Sequence, residues 1–476
     1  MTLRLDALLF EVCGRFGAAP ALEDAGGHLS YGELATAAQK TATTLQTQGI
    51  NADEPVLVAI ANAPQNIADF LGVWAAGGVV VPVSRDAPAV AIEATRAAAK
   101  ARLLVRDGSV VRAGDQPPPE RPLLKDAALI IFTSGSTGAP KGVVIGHDAF
   151  ARKLLEIDSN LNFTTQTRSL LVLQITFIFG IWVTLLTLLK GGSVFMCPRF
   201  DAATVIDGLA AQRITDAAFV PTMLRKLLAT DAAVNSSLRT TLALTRVHTG
   251  GEPFSPVLGQ RVGELFPTAS IADIYGLTET ASSDFFLSPP RGEDFPNGIG
   301  RISKSERFRI ADAQGRAVPP GEAGELQILT PFIMNGYLDQ LELTRAAFAD
   351  GYFRTGDMAR LKSDGAPELV GRGKDLIVRG GAKISPLELD GVLAQHPDIA
   401  GVLTVGVADE IAGERIHVLV VPRAAPIDEK ALRRWVAERV EAYKRPDVYH
   451  FGAELPLGRT GKVDRGALRD SLSKLR

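Results

Sequence analysis

The sequence predicts an α/β protein: a large N-terminal domain of mixed, parallel-rich sheets flanked by helices, a β-rich subdomain, and a small C-terminal α+β domain. Three observations predict it. Through the first half, short apolar strands alternate with helix-length segments, which demands crossover connections and parallel pairing. From Phe308 the pattern changes to short strands and turns. After a glycine-rich charged joint at Gly371-Arg-Gly-Lys374, about a hundred residues return to a mixed pattern. At 476 residues the chain exceeds what one core supports, and the expected division is 1–371 and 372–476.

In order, residues 31–47 read as a helix, 55–60 as a strand, 65–76 as a helix and 78–83 as a strand. Residues 87–100 are alanine-rich and read as a surface helix, and Gln116-Pro-Pro-Pro119 as a linker inside the domain. The run Ala127-Ala-Leu-Ile-Ile-Phe132 is a strand that feeds a hydroxyl-rich loop. Phe150, Leu154 and Ile157 at helical spacing place a helix over 147–158. Residues 169–189 carry no charge, but Gln174, Thr176, Gly180, Thr184 and Thr187 interrupt them. They read as a buried strand over 170–179, a turn at Gly180 and a buried helix over 181–189, ended by Gly191, rather than as a membrane span. Further units continue to Leu287. Strands follow at Phe308-Arg-Ile310 and Gly324-Glu-Leu-Gln-Ile-Leu329, with a tight turn at Pro319-Pro-Gly321.

The net charge of −2, with 22% charged residues, offers no basic surplus for a nucleic-acid partner. Cys13 and Cys197 supply neither a disulfide framework nor zinc spacing, and a reducing, cytoplasmic setting is expected. The N-terminus carries Asp6 and lacks the basic start and apolar core of a signal peptide. The six histidines show no metal spacing, and His147 reads as a structural cap.

The chemistry starts at Thr133-Ser-Gly-Ser-Thr-Gly-Ala-Pro-Lys-Gly142. Small hydroxyl residues and glycines let backbone N–H groups approach phosphate oxygens, and Lys141 adds positive charge. The loop is not a Walker A motif, because Gly142 rather than Ser or Thr follows Lys141. In Asp273-Ile-Tyr-Gly-Leu-Thr-Glu-Thr280, Tyr275 can stack on a base and Glu279 can hold Mg²⁺ against phosphates. A strand–turn–helix capped by Thr278 is the competing reading. Asp357, after a glycine, can accept both hydroxyls of a ribose, or can be a turn aspartate. Gly371-Arg-Gly-Lys-Asp375 suits a hinge, and the Gly380-Gly381 loop can approach a ligand closely. Lys462, in Leu455-Pro-Leu-Gly-Arg-Thr-Gly-Lys-Val-Asp-Arg465, sits on a loop able to reach an anionic centre.

Together, in this order, these segments resemble the signature motifs of the adenylate-forming superfamily, which includes acyl- and aryl-CoA ligases, peptide-synthetase adenylation domains and luciferases. Leu29-Ser-Tyr-Gly-Glu-Leu34, Ala76-Gly-Gly-Val-Val-Val-Pro82, Thr249-Gly-Gly-Glu-Pro253 and Asn335-Gly-Tyr337 extend the resemblance over nearly the whole chain. It implies ATP-dependent activation of a carboxylic acid to acyl-AMP with release of pyrophosphate, then transfer to a thiol. The small domain would be a mobile lid. Thr133, Ser134, Gly135, Ser136, Thr137, Gly138 and Lys141 would cradle the β- and γ-phosphates. Gly251, Glu252, Pro253, Asp273, Ile274, Tyr275 and Gly276 would line the adenine pocket. Asp357, with Arg372 nearby, would hold the ribose. Glu279 would bind Mg²⁺ and Thr278 would lie by the α-phosphate. Lys462 would bridge carboxylate and α-phosphate. Lys374 would be the hinge, and Gly380 and Gly381 would face the thiol tunnel.

The resemblance also implies an acid pocket drawing on Phe177, Phe219 and Gly250, although core packing is an equal reading of the phenylalanines. Peptide-synthetase domains place an aspartate just after the equivalent of Phe177 to pair with a substrate ammonium. Here Ile178 follows, so an uncharged acid, aromatic or short and apolar, is expected. The acceptor stays open between CoA and the phosphopantetheine arm of a carrier protein. Tyr443-Lys-Arg-Pro446 and Ile384-Ser-Pro386 resemble CoA ligases, whereas Gly461-Lys-Val-Asp-Arg465 resembles peptide-synthetase domains. A catalytically dead nucleotide-binding protein would have lost Lys462, Glu279 or Asp357, and all three are present.

Overall fold

A computed structural model of the chain describes residues 2–114, 117–133, 141–230, 243–379, 382–409, 412–458 and 462–474. The strands among them form four sheets. In the first, the order across the sheet is Arg301–Ile302, Ser282–Leu287, Ser270–Leu277, Arg246–Gly250, Asp216–Phe219, Arg168–Leu171, Ser193–Met196, Pro20–Asp24, Gly27–Ser30. Its interior pairs are parallel. The second runs Gly336–Tyr337, Lys141–Gly146, Ala127–Thr133, Val79–Ser84, Pro55–Ile60, Leu103–Arg106, Ser109–Arg112.

One apolar core lies between these two sheets. It joins Leu22, Leu171 and Val194 of the first to Val56, Val80 and Ile131 of the second, with Phe70, Trp74 and Trp182 from the helices between. Pro55–Ile60 is buried along its whole length, as a central parallel strand covered on both faces must be. The flanking helix Tyr31–Thr47 starts at a capping box, in which Ser30 Oγ accepts from the Glu33 amide while Glu33 accepts from the Ser30 amide. The opposite face of the first sheet packs Leu170, Ala217 and Val247 against Val205, Leu224 and Val262 of three helices.

A third, antiparallel sheet of Arg307–Ala311, Gly324–Leu329, Tyr352–Leu361, Phe348–Ala349 and Pro367–Arg372 carries its own cluster of Ile310, Leu326 and Ile328 against Phe285 and Ile299. The fourth belongs to the C-terminal residues and closes over Ile377, Ile416, Val418 and Leu432. Thus the α/β architecture expected from the sequence is present.

Four local expectations change. The strand expected over 170–179 pairs only through Leu171, and the helix begins at Ile178 with Phe177 as its extended N-cap. Gly180 lies inside the first helical turn, where a Cβ would come within 2.6 Å of the Gln174 carbonyl oxygen. The strand Ala127–Thr133 pairs antiparallel with Lys141–Gly146, so the strands before and after the hydroxyl-rich segment are partners. After Thr278 the chain makes a single 3-10 turn, passes Ala281 at φ 56° and runs back as Ser282–Leu287; no helix follows. His147 does not cap its own helix: its Nδ1 accepts from the Leu5 amide at the start of Leu5–Phe16. Burial pushes this imidazole down to about 3. Among the described residues no helix is long and apolar enough to cross a membrane.

Candidate active site

The site forms where parallel strands end. Arg246–Gly250 and Ser270–Leu277 run side by side in register and open into the loops that carry Gly251-Glu-Pro253 and Thr278–Thr280. The carboxyl ends of parallel strands are where α/β sheets offer room for a ligand. Gly250 is required by its neighbour, since a Cβ there would lie 2.3 Å from the Ile274 carbonyl oxygen. Gly251 is favoured by its φ of +79°, and a Cβ there would stand 2.5 Å from Nζ at the far end of the Lys462 side chain. The lysine from the far end of the chain therefore already lies in this loop.

Lys462 is half-buried. Among the described residues no carboxylate forms an ion pair with it, and burial pulls its ammonium below the ordinary lysine range. Arg372 reinforces that fall and Glu252 opposes it. Glu252 itself accepts from the Thr222 amide at 3.0 Å, from Thr222 Oγ1 at 2.8 Å and from the Val463 amide at 3.2 Å.

Asp357 stands on the strand Tyr352–Leu361, directly opposite Arg372 on Pro367–Arg372. Its Oδ2 accepts from Tyr275 Oη at 2.7 Å and its Oδ1 from Arg372 Nε at 3.2 Å. Burial, then the charge of Asp357, pushes the Tyr275 hydroxyl up, so it remains a donor. On the same strand as Tyr275, the Asp273 carboxyl is pushed up to about 8 by burial. Gly276 lets the returning strand pass, because a Cβ would meet the Ser282 carbonyl oxygen at 2.4 Å.

Glu279 sits in the 3-10 turn, where its carbonyl accepts from the Met334 amide. Tyr337 Oη donates to its Oε1 at 2.9 Å, and Lys141 Nζ lies 5.3 Å from the centre of the Tyr337 ring. Lys141 opens the strand that pairs with Gly336–Tyr337, and Thr133 pairs with Lys141.

The structure thus gathers Gly251, Glu252 and Lys462; Tyr275, Asp357 and Arg372; and Lys141, Glu279 and Tyr337. Ser134, Gly135, Ser136, Thr137, Gly138, Gly380 and Gly381 lie outside the described residues. Lys374 is exposed in the 3-10 turn Gly373–Asp375, and Gly371 just before it has φ +142°. Phe177 is the N-cap of Ile178–Leu189 and is partly open. Phe219 departs from expectation. It is fully buried with Leu170, Ala217 and Val247, because alternate residues of Asp216–Phe219 face opposite sides of the sheet and its side chain falls on the helix-covered one.

Sequence reasoning assigned no role to Tyr337, although its motif was visible, and missed Thr222. A threonine after a proline at a helix start carries no signal of a carboxylate thirty residues away.

A family model described as AMP-binding enzyme matches residues 9–338, and one described as AMP-binding enzyme C-terminal domain matches residues 388–462. A feruloyl-CoA synthase from an Amycolatopsis species is 30% identical, with 95% of each chain covered. A sulfoacetate–CoA ligase from Cupriavidus necator is 31% identical, over 93% of this chain and 92% of its own. The crystal structure of ATP-bound MatB from Rhodopseudomonas palustris is 25% identical and superposes over both whole chains with a TM-score of 0.86. The apo form of MatB gives 0.79.

Proposed function

We propose that this chain, which belongs to the AMP-binding enzyme family and is an AMP-forming acid–thiol ligase, activates an uncharged carboxylic acid and passes it to the thiol of CoA. The observation that carries this reading is Lys462: a desolvated cation with no ion-pair partner among the described residues, delivered from the C-terminal segment into the loop after Gly250.

A carboxylate attacking the α-phosphate of ATP meets like charge, so catalysis is mainly alignment and neutralisation. Lys462 would face both anions as the carboxylate oxygen closes on phosphorus and pyrophosphate departs. Lys141, with Thr133, Ser134, Gly135, Ser136, Thr137 and Gly138, would grip the departing pyrophosphate. Asp357 would accept the ribose hydroxyls while Tyr275 and Arg372 hold it in place, and Gly251, Pro253, Asp273, Ile274 and Gly276 would line the base. Thr278 would lie by the α-phosphate. The residues fit Mg²⁺: Glu279 offers one carboxylate, which Tyr337 orients through Oε1, and Mg²⁺ is commonly held by one or two carboxylates plus substrate phosphates. When bound there it would neutralise phosphate charge. Rotation of residues 372–476 about Lys374 would then withdraw Lys462 and bring Gly380 and Gly381 to the thiol.

Two features support an uncharged acid, aromatic or short and apolar. Ile178, where an amino-acid-activating domain would place an aspartate, is buried in the core, so an ammonium would meet no carboxylate there. Phe177 and Gly250 remain available as pocket walls. The named relatives act on a feruloyl group and on sulfoacetate, both with CoA, which supports CoA as the acceptor here.

The test is an AMP-release screen over aryl acids, short acids and amino acids, with CoA as the sole acceptor. An aryl or short apolar acid should give the fastest release. Preference for an amino acid would contradict the pocket reading, and dependence on a phosphopantetheinylated carrier would replace CoA as the acceptor.

A further inference from the structure

The expectation that Glu252 lines the adenine pocket does not use what surrounds it. Its side chain is 4% exposed, and a carboxylate so buried must find donors. On the large domain it finds the amide and hydroxyl of Thr222 at 3.0 and 2.8 Å, with Arg225 Nη1 3.5 Å from Oε2. The remaining donor comes from 211 residues away: the Val463 amide, 3.2 Å from Oε1. Val463 is the residue after Lys462. Both oxygens are therefore engaged: Oε2 by Thr222, and Oε1 by the Val463 amide on the backbone that carries the lysine, with Thr222 Oγ1 also 3.1 Å from it.

From this we propose that Glu252 is a latch that holds the C-terminal segment in place for acyl-AMP formation, a positioning residue for Lys462 and not a contact to adenine. The inference rests on the proposed role of Lys462 in the first half-reaction. The bond is reversible by construction. When Val463 leaves, Thr222 and Arg225 still satisfy the carboxylate, so release does not strand a buried charge. In the closed position the same carboxylate supports the Lys462 ammonium against burial and against Arg372.

Glu252→Gln preserves shape but lacks the charge, and its Nε2, a donor, must face either the Thr222 amide or the Val463 amide, which donate to different oxygens of the carboxylate. Acid-dependent pyrophosphate exchange should fall roughly ten- to hundredfold, the range expected for loss of a hydrogen bond to a charged group. Thioester formation from CoA and a supplied adenylate of the best acid should change far less. Hydrogen–deuterium exchange at the Val463 amide, measured with α,β-methylene-ATP present, should be faster than in the unaltered protein. Thr222→Val, which removes the hydroxyl donor and leaves Glu252 in place, should act in the same direction with a smaller effect, and it serves as the test if the glutamine variant does not fold.

Equal losses in both half-reactions with a raised KM for ATP would return Glu252 to nucleotide binding and overturn the latch. Unchanged exchange at Val463 would overturn it as well. A Lys462→Ala control separates the two ideas. If it divides the half-reactions and Glu252→Gln does not, the latch alone fails; if Lys462→Ala does not divide them, the underlying role of the lysine fails.

Discussion

Lys153 and Lys462 are both withdrawn from bulk water, and their surroundings differ in kind. Lys153 has no exposed side-chain surface; its Nζ lies 2.7 Å from Asp284 Oδ1 and 2.6 Å from Glu306 Oε1. Thr280 Oγ1 donates to the other Asp284 oxygen and Thr330 Oγ1 to Glu306 Oε1. Burial and the charge of Glu306 push Asp284 well up from the carboxylate range. Lys462 has no such company: Glu252 touches the next residue's amide, and Arg372 adds like charge. A cation neutralised at rest holds a fold together. One left desolvated and unpaired is suited to a charge that arrives with the substrate. The first lysine lies beneath the turn that carries Glu279, and the second comes to the same site from the opposite end of the chain.

The largest effect should follow from breaking the compensated lysine. Lys153→Met leaves two carboxylates without their cation, and we expect a loss of about 3–5 kcal/mol in unfolding free energy, read by chemical denaturation. The triple variant Lys153→Met, Asp284→Asn, Glu306→Gln should recover much of it. If the single variant is as stable as the parent, the buried cluster is not the structural half of the comparison.

Next, Asp357→Asn should raise KM for ATP roughly ten- to hundredfold, and Tyr275→Phe should raise it less, since it removes only one donor to that carboxylate. Equal effects would mean that Tyr275 matters by more than holding Asp357.

The pH dependence sharpens the contrast. In the proposed reaction adenylation uses the Lys462 ammonium, and burial lowers its pKa from 10.5. The alkaline limb of pyrophosphate exchange should therefore begin below an ordinary lysine's range, and thioester formation from supplied adenylate should lack it. Glu252→Gln removes the one charge that opposes the fall, so it should move that limb to lower pH.

The smallest effect is on acid stability. His147 is held neutral, with a pKa of about 3 against 6.5 unfolded. Between those values the unfolded chain takes up a proton that the folded chain refuses, so stability rises with pH across that window and is lost on acidification. His147→Asn should flatten the fall in Tm between pH 7 and pH 5.

How far the molecule could be read from its sequence follows the range of each interaction. The alternation of 31–47, 55–60, 65–76 and 78–83 is local, and it located those helices and strands to within one residue. Tyr275, Glu279, Asp357, Lys141 and Lys462 stood out because their motifs are short and contiguous. The antiparallel partner at Lys141–Gly146 was hidden because its glycine and lysine masked a six-residue strand. The loss of pairing after Leu171 left no trace, because a buried apolar run looks the same paired or unpaired. Phe219 stayed open between pocket and core, because a strand covered on both faces gives no sign of which side a residue takes; the structure buries it. The Lys153–Asp284–Glu306 cluster spans separations of 131 and 153 residues, and the Glu252–Val463 bond spans 211. No local pattern encodes contacts at that distance.

Lys462 is proposed to act in one half-reaction only, and the direct measurement compares both half-reactions in Lys462→Ala. Acid-dependent pyrophosphate exchange should fall by about a hundred- to a thousandfold, as when a group that stabilises transition-state charge is removed. Thioester formation from CoA and supplied acyl-adenylate should proceed near the parent rate. Equal loss in both would contradict the account.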